Sequence, residues 1–187
     1  MTSEGPDKEG PKFIPVSGAL GGIALAARDQ SANHRRERWM KGCGIDDPVV
    51  EIRDTVAEGL EKALSLEVLE SDRKTKAEAA EDVIKAYPGV DLILDIRTSR
   101  WGIHRIEAPS PNKLVHFAVG YDGSIRLIDA RKRAVIAEST CSVHYGNGDD
   151  PPTMNELLAD DCALIDKGLA LSAETCAKRH LSALHLE

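Results

Sequence analysis

The sequence predicts an α+β fold, in which an antiparallel β-meander sheet is packed on one face by helices and is followed by a long C-terminal helix. Three observations support this class. Apolar residues recur at helical spacing between residues 47 and 88, alternate with polar residues between 90 and 141, and return to helical spacing after residue 153. Because strands and helices are segregated along the chain, the sheet is expected to be antiparallel.

Two helices are predicted ahead of the strands. The first begins at Asp47-Pro48, since aspartate caps a helix and proline at the first position forfeits no hydrogen bond. Its apolar face consists of Val49, Ile52, Val56, Leu60 and Ala63. The second lies in "KAEAAEDVIKAYPG" and ends at Pro88-Gly89. "LSLEVLES", between them, is typical of a short strand.

The strands begin with "VDLILDIRTSRWG", whose period of two places Asp91 and Asp95 on a solvent-facing side. "KLVHFAVGY" and "SIRLIDA" follow, separated by "DG", and "AVIAESTC" completes the meander. Arg131, Lys132 and Arg133 then fall at the tip of a β-hairpin.

The last predicted element is a long helix from Asp161 onward. Thr153 and Glu156 form a capping-box pair just before it. Its apolar face consists of Cys162, Ile165, Leu169, Ala173, Cys176 and His180. The predicted domain organisation is a flexible leader at 1–16, a Gly/Ala-rich helical segment at 17–46, the α+β domain at 47–185 and a cloning remnant at 186–187.

Composition limits the function classes. The chain has 187 residues and a formal net charge of −7, from 24 Lys+Arg and 31 Asp+Glu. Nucleic acid is therefore not expected as a partner, because phosphate binding needs a concentrated positive face. No apolar run approaches the roughly 18 residues of a membrane span, and the start lacks the apolar region of a signal peptide. Two interpretations follow: a cytoplasmic protein, or an exported one whose signal is not in this sequence.

The four cysteines could form disulfides, bind a metal ion or remain as free thiols. If residues 161–182 form one helix, Cys162 and Cys176 lie roughly 21 Å apart along its axis, too far to bridge. The preferred disulfide joins Cys141, at the end of the last strand, to Cys176 on the helix that covers the sheet. The pairing of Cys43 and Cys162 is left open, and four reduced core cysteines are the alternative.

The sequence offers two candidate arrangements for catalysis or metal binding. Cys141, His144, Cys176 and His180 could hold zinc, although their spacing is unremarkable. A small hydrolase or metal-dependent enzyme could use Cys141 and His144 with Asp149 nearby. The sequence contains neither a nucleophile elbow nor a phosphate loop. Accordingly, no catalytic residue, metal or cofactor is predicted.

Several segments resemble uncharacterised lipoproteins of Gram-negative bacteria: "VEIRDTVAEGLEKAL", "DLILDIRTSRWGI" with Trp101-Gly102, "LIDARKRAVIAESTC" with the strand end Ala137 through Cys141, and the terminal helix with Cys176. The resemblance implies export, a lipid anchor on a cysteine upstream of this sequence, and attachment to the outer membrane. The sequence itself carries no such anchor cysteine. The resemblance supplies no catalytic residues.

The leading hypothesis is a non-enzymatic periplasmic domain of a lipoprotein that binds or scaffolds another envelope component, either a protein or a polymer. Candidate surface residues are Arg131, Lys132, Arg133 and Trp101, although charges at a hairpin tip also serve solubility alone. The alternatives are the small enzyme using Cys141 and His144, and a cytoplasmic scaffold with reduced thiols.

Overall fold

The computed structural model describes residues 12–19, 40–69, 79–106, 116–146 and 151–184. The strands are β1 Lys12–Ala19, β2 Glu67–Val68, β3 Leu92–Ile106, β4 His116–Asp129 and β5 Ala134–Tyr145. The helices are α1 Val49–Leu64, α2 Ala80–Ala86, α3 Met154–Leu157 and α4 Ala163–Ala183, and a 3₁₀ turn at Asp160–Cys162 precedes α4. Among the described helices, none is long and apolar enough to cross a membrane.

The sheet has five strands in the order β2-β1-β3-β4-β5. The last three strands form the predicted antiparallel meander, with β3 paired to β4 and β4 paired to β5. The hairpin between β4 and β5 turns at Ala130–Arg133, which places the basic residues at its tip. With the long C-terminal helix, this confirms the predicted α+β class.

The start of the chain differs from its prediction as leader and helical segment. Residues Lys12–Ala19 form β1, which is parallel to both neighbours and pairs with β3 from Phe13↔Leu92 to Ala19↔Thr98. The leader was predicted from Gly5, Pro6, Gly10 and Pro11, which all precede Lys12 in the sequence. A strand that pairs with a distant strand takes its conformation from that partner. The rest of 1–16 and residues 20–39 of the helical segment lie outside the described residues, as does the cloning remnant at 186–187.

The two strands expected on either side of "DG" are one strand, because β4 runs through Asp122-Gly123 without a turn. A register shift in β3 between Thr98 and Arg100 lies opposite this point. A turn is predicted at Asp122-Gly123, but the register shift in β3 lets these two residues stay within a continuous strand. A Cβ on Gly123 would lie 2.3 Å from the Tyr121 hydroxyl oxygen, so the aromatic ring occupies the space that a side chain would need.

Helices α1 and α4 cover one face of the sheet. Their apolar faces meet the inward side chains of β3, β4 and β5 in the main core cluster. Its largest fully buried members are Ile52, Leu60, Leu94, Ile96, Tyr121 and Ile125. This burial confirms the predicted apolar face of α4, and it confirms that of α1 through Leu60, whereas Ala63, also predicted on that face, is exposed.

Helix α2 packs on the opposite face, where Val83 and Tyr87 contact Ile93 and Ile128. The sheet is therefore covered on both sides at this end, whereas the sequence predicted helices on one face only. This explains the error at Asp95, which was expected to face solvent but is completely buried.

Two arginines compensate the buried Asp95 carboxylate. The Arg97 Nε and Nη2 atoms each lie 3.0 Å from Asp95 Oδ2. Arg126 donates to the same oxygen from Nε at 3.0 Å and also from Nη2. A buried charge is tolerated only when it is paired and hydrogen-bonded, so these three side chains act as a unit.

The helix starts follow local rules. Asp47 Oδ1 accepts the Val49 amide at 2.9 Å and the Thr98 hydroxyl at 3.1 Å, which fixes the beginning of α1 against the sheet. Thr153 and Glu156 form the predicted capping box at α3.

Candidate functional site

The basic hairpin tip is matched by acidic neighbours. All three of its cations are more than half exposed, and each lies beside a carboxylate. The pairs are Arg131–Asp91 at 2.6 Å, Lys132–Asp129 at 3.2 Å and Arg133–Glu81 at 3.6 Å. The tip therefore presents balanced charge rather than a concentrated positive patch, which weakens its role as an anion-binding surface.

Trp101, the other candidate surface residue, serves mainly to join two parts of the core. Its partly buried ring packs against the main cluster and against a second cluster around Met40, Ile103 and Leu157. Tryptophan in such a position contributes apolar area to packing. The structure does not bring Trp101 together with the basic tip in one site.

The cysteines form two disulfides. Cys141 is bonded to Cys176, the pair preferred from the sequence, with their Cα atoms 5.6 Å apart. Cys43 is bonded to Cys162, which ties the segment before α1 to the start of α4. No cysteine is free.

These bonds remove both arrangements that the sequence offered for catalysis or metal binding. Cys141 lies on the helix-covered face, whereas His144, three residues later, lies on the opposite face of the same strand. Asp149 lies outside the described residues. The zinc set also fails, because Cys141 and Cys176 are bonded to each other, and the described residues contain no group of His, Cys, Asp and Glu that could hold a metal.

A polar cluster lies on the face of β3–β5 opposite to α1 and α4, and it was not predicted from the sequence. Asp122 lies at its centre and accepts hydrogen bonds from Ser142 Oγ at 2.6 Å and from Arg100 Nε at 2.8 Å. His144 Nε2 lies 3.1 Å from Asp122 Oδ1, without hydrogen-bond alignment. The His144 ring is 5.0 Å from that of the buried His104, measured between centroids. Cross-strand pairing could have revealed the cluster, but the expected turn at "DG" hid it.

The environment of Asp122 keeps its carboxyl ionised. Partial burial raises its pKa, but hydrogen bonds from Ser142 and Arg100, with the Arg100 charge and a smaller effect of His144, outweigh burial and lower it overall. The Ser142 hydroxyl donates to this carboxylate, whose lowered pKa makes it a poor base for activating a serine. This is a structural ion-pair network on the strand surface.

Gly120 permits the two histidines to approach each other. A Cβ at this position would lie 2.1 Å from His144 Cδ2 and 2.4 Å from the Val143 carbonyl oxygen. Since a backbone atom is one of the obstacles, no rotamer change of His144 alone could admit a larger residue. The glycine belongs to the packing of the face opposite to α1 and α4.

An acidic recess lies between α1 and the beginning of α4, and its volume is about 560 Å³. Its six carboxylates come from both helices and from the segment before α1. They are Asp46, Asp47, Glu51, Asp54, Glu58 and Asp166. Half-exposed Val50 adds an apolar contact within the recess. A concave surface of one sign concentrates the field, so the recess attracts cationic groups.

Two of the six carboxylates have an interaction partner in the domain. Asp54 pairs with Arg53 at 2.7 Å and Asp47 caps α1. Within the described ranges, the other four have no ion pair; they are Asp46, Glu51, Glu58 and Asp166.

Helix α4 runs antiparallel along β5 in a regular series of contacts that we call the α4–β5 seam. Four helix positions spaced by four residues meet strand positions spaced by two, because about 6 Å of helix rise matches two strand residues. The seam pairs Gly168 with Tyr145, Ser172 with Val143, Cys176 with Cys141, and His180 with Ser139. The predicted disulfide is one contact of this series.

No protein-family model matches the chain, and no curated protein matches it. Among solved structures it is similar to the PelC dodecamer from Paraburkholderia phytofirmans, with 13% identity over 97% of this chain and 94% of that one and a TM-score of 0.39. Lipoprotein GNA1162 from Neisseria meningitidis is 11% identical over 84% and 96%, with a TM-score of 0.37. Uncharacterized lipoprotein B from Nitrosomonas europaea is 15% identical over 99% and 93%, with a TM-score of 0.36. Similarity at this level assigns no function to the chain.

Proposed function

We propose that this chain is a non-enzymatic periplasmic domain of an outer-membrane-attached lipoprotein, and that it binds or scaffolds another envelope component. The observation that carries the proposal is the pairing of all four cysteines in two disulfides. Disulfides form and persist in oxidising compartments such as the periplasm and are rare in the cytosol. The sequence resemblance to Gram-negative lipoproteins points to the same compartment.

Binding is favoured over hydrolysis by what the proposed catalytic residues do. Cys141 is held in a disulfide on the covered face of the sheet, so it has no thiolate to attack a substrate. His144 faces the other side and neighbours Asp122 instead. The small enzyme based on these two residues therefore has no support in the geometry.

The acidic recess is the surface that best suits a partner. Its unpaired carboxylates complement a protein surface rich in lysine and arginine, and Val50 supplies an apolar contact at the same place. Complementary charge accelerates encounter and fixes orientation, while apolar contact supplies affinity. A basic protein of the envelope is thus the partner class we favour over an anionic polymer.

Thiol trapping in the source cells tests the compartment. Cells are quenched in acid, free thiols are alkylated with a mass tag, and the protein is followed through periplasmic and membrane fractions. We expect no tag without prior reduction, four tags after reduction, and recovery with the outer membrane. A protein carrying four accessible thiols in the cytoplasmic fraction would overturn the proposal.

Photo-crosslinking in the same cells tests the recess. A benzophenone amino acid replaces Val50 in the recess or, as control, the similarly exposed Ile136 on β5. We expect an adduct with a basic envelope protein from position 50 alone. Replacing Glu51 and Glu58 with glutamine and Asp166 with asparagine should reduce its yield about tenfold, as three exposed pairs of ~0.5 kcal/mol each would give.

The charge-matched control replaces Glu61, Glu67 and Glu138 with glutamine, which removes three exposed carboxylates outside the recess. It should leave the adduct unchanged. Equal losses in both triple variants would show general charge attraction, and the absence of any adduct from position 50 would contradict binding at the recess.

A further inference from the structure

The last contact of the α4–β5 seam depends on an uncharged histidine. The His180 side chain has no exposed surface, and its Nδ1 lies 3.1 Å from Ser139 Oγ. Within the described chain, its Nε2 has no hydrogen-bond partner. A proton added to this ring would place a charge in the core with no group to compensate it.

Among the residues that the structure describes, no ion pair or hydrogen bond joins a charged side chain to the His180 imidazole. On β5 its contact is the Ser139 hydroxyl, and Glu138 is exposed. On α4 the neighbouring Lys178 pairs with Glu174, and the Arg179 Nη1 lies 3.3 Å from the Ser142 carbonyl oxygen. Burial is the only influence that moves the pKa of His180, and it lowers that pKa to about 4.

The turn of α4 around His180 is the last turn of the seam. Cys176, one turn earlier, is bonded to Cys141 and fixes the helix there. Beyond His180, the partly buried Leu181 and Leu184 pack against the main core cluster. Leu181 lies against α1 so closely that a Cβ on Gly59 would be 2.4 Å from its Cδ2 atom.

We infer that protonation of His180 releases the end of α4, residues 180–184, from β5, while the Cys141–Cys176 disulfide holds the remainder of the helix in place. The opening would expose Leu181 and Leu184 together with the part of α1 that they cover. This acid-sensitive latch is a property of the folded domain and does not depend on the proposed function.

The direction follows from the two states of the histidine. In the open state its pKa is that of an exposed imidazole, about 6.5. The closed state is therefore fully favoured above pH 6.5, loses stability as the pH falls towards 4, and changes no further below that. The opening equilibrium constant should rise about 30-fold between pH 7.5 and pH 5, and about 300-fold in all.

Amide hydrogen exchange on the intact oxidised protein tests the inference. Rates at pH 7.5 and pH 5 are corrected for intrinsic exchange, and protection factors are compared along α4. We expect protection in residues 180–184 to fall about 30-fold at pH 5, while residues 165–176 keep theirs. His180→Gln should abolish this pH dependence, whereas His116→Gln, which changes a histidine at the far end of β4, should preserve it.

Unchanged protection of residues 180–184 at pH 5 would overturn the inference, and so would an equal loss along the whole of α4. If the His180→Gln protein does not fold, NMR titration of the wild-type ring decides the case. A His180 pKa below 5 together with line broadening in residues 180–184 supports the latch, and a pKa near 6.5 excludes it.

Discussion

Replacing Cys43 and Cys162 together with alanine is expected to lower the free energy of unfolding by about 5 kcal/mol, since their bridge closes a long loop in the unfolded chain. The two residues are 119 positions apart. Replacing Cys141 and Cys176, which are 35 positions apart, should lower the free energy of unfolding by about 4 kcal/mol, because the unfolded chain regains the entropy of the open loop. Both of the latter residues are buried in the main core, so lost packing adds to that figure.

Urea unfolding of the two double variants and the wild type, without reductant, measures these losses. Domains of this size have about 5–15 kcal/mol of stability in total, so each variant should be close to unfolding at 37 °C. Reductant should destabilise the wild type and leave a variant lacking all four cysteines unchanged. Midpoints that differ little from the wild type would show that the bridges add nothing to stability.

Asp95→Asn should destabilise the protein by about 3–5 kcal/mol, because it removes the carboxylate that compensates two guanidinium groups in a buried network. Asp95 has no exposed surface, and the Arg97 side chain is only 7% exposed. The asparagine preserves volume, so the loss comes from charge rather than from a cavity. The free energy of unfolding at pH 7 is the quantity to measure.

Two controls isolate the charge effect. Asp82→Asn breaks an exposed pair with Lys85 and should change stability by less than about 1 kcal/mol. Replacing Asp95 with leucine and both Arg97 and Arg126 with methionine removes the network entirely and should recover most of the loss, as in other buried ion pairs. A triple variant no more stable than Asp95→Asn would contradict this account.

The parts of the fold that depend on local chemistry were predictable from the sequence. The capping box at Thr153, the apolar faces of α1 and α4 and the β4–β5 hairpin are each encoded within a few neighbouring residues. The Cys141–Cys176 bridge followed from combining two such predictions, a strand end and a covering helix.

What the sequence could not supply depends on distant partners. β1 is a strand because it pairs with β3, and no feature of the Lys12–Ala19 sequence identifies β3 as its partner. Asp95 alternates with apolar residues as a solvent-facing residue would, and only the covering of the second face makes it a core residue. Periodicity assigns a side chain to a face without saying what lies over that face.

The polar cluster was missed for a related reason. Aspartate followed by glycine favours a turn, whereas the alternating pattern on both sides of the pair favours a continuous strand. The prediction followed the local preference, and the strand is what forms. Asp122 is accommodated inside a strand because its carboxylate interacts with the cross-strand neighbours Arg100, Ser142 and His144. Their proximity depends on the register of β3, β4 and β5, which the sequence pattern left open.

The two disulfides interleave along the chain, in the order Cys43, Cys141, Cys162, Cys176. Cys141 lies within the loop closed by the first bridge, and Cys162 lies within the loop closed by the second. Any single break in the backbone between Cys43 and Cys176 therefore leaves the two fragments joined by at least one bridge. In an environment that contains proteases, one cleavage between Cys43 and Cys176 would not detach a piece of the domain. The arrangement makes the molecule tolerant of nicking, and this tolerance would vanish on reduction.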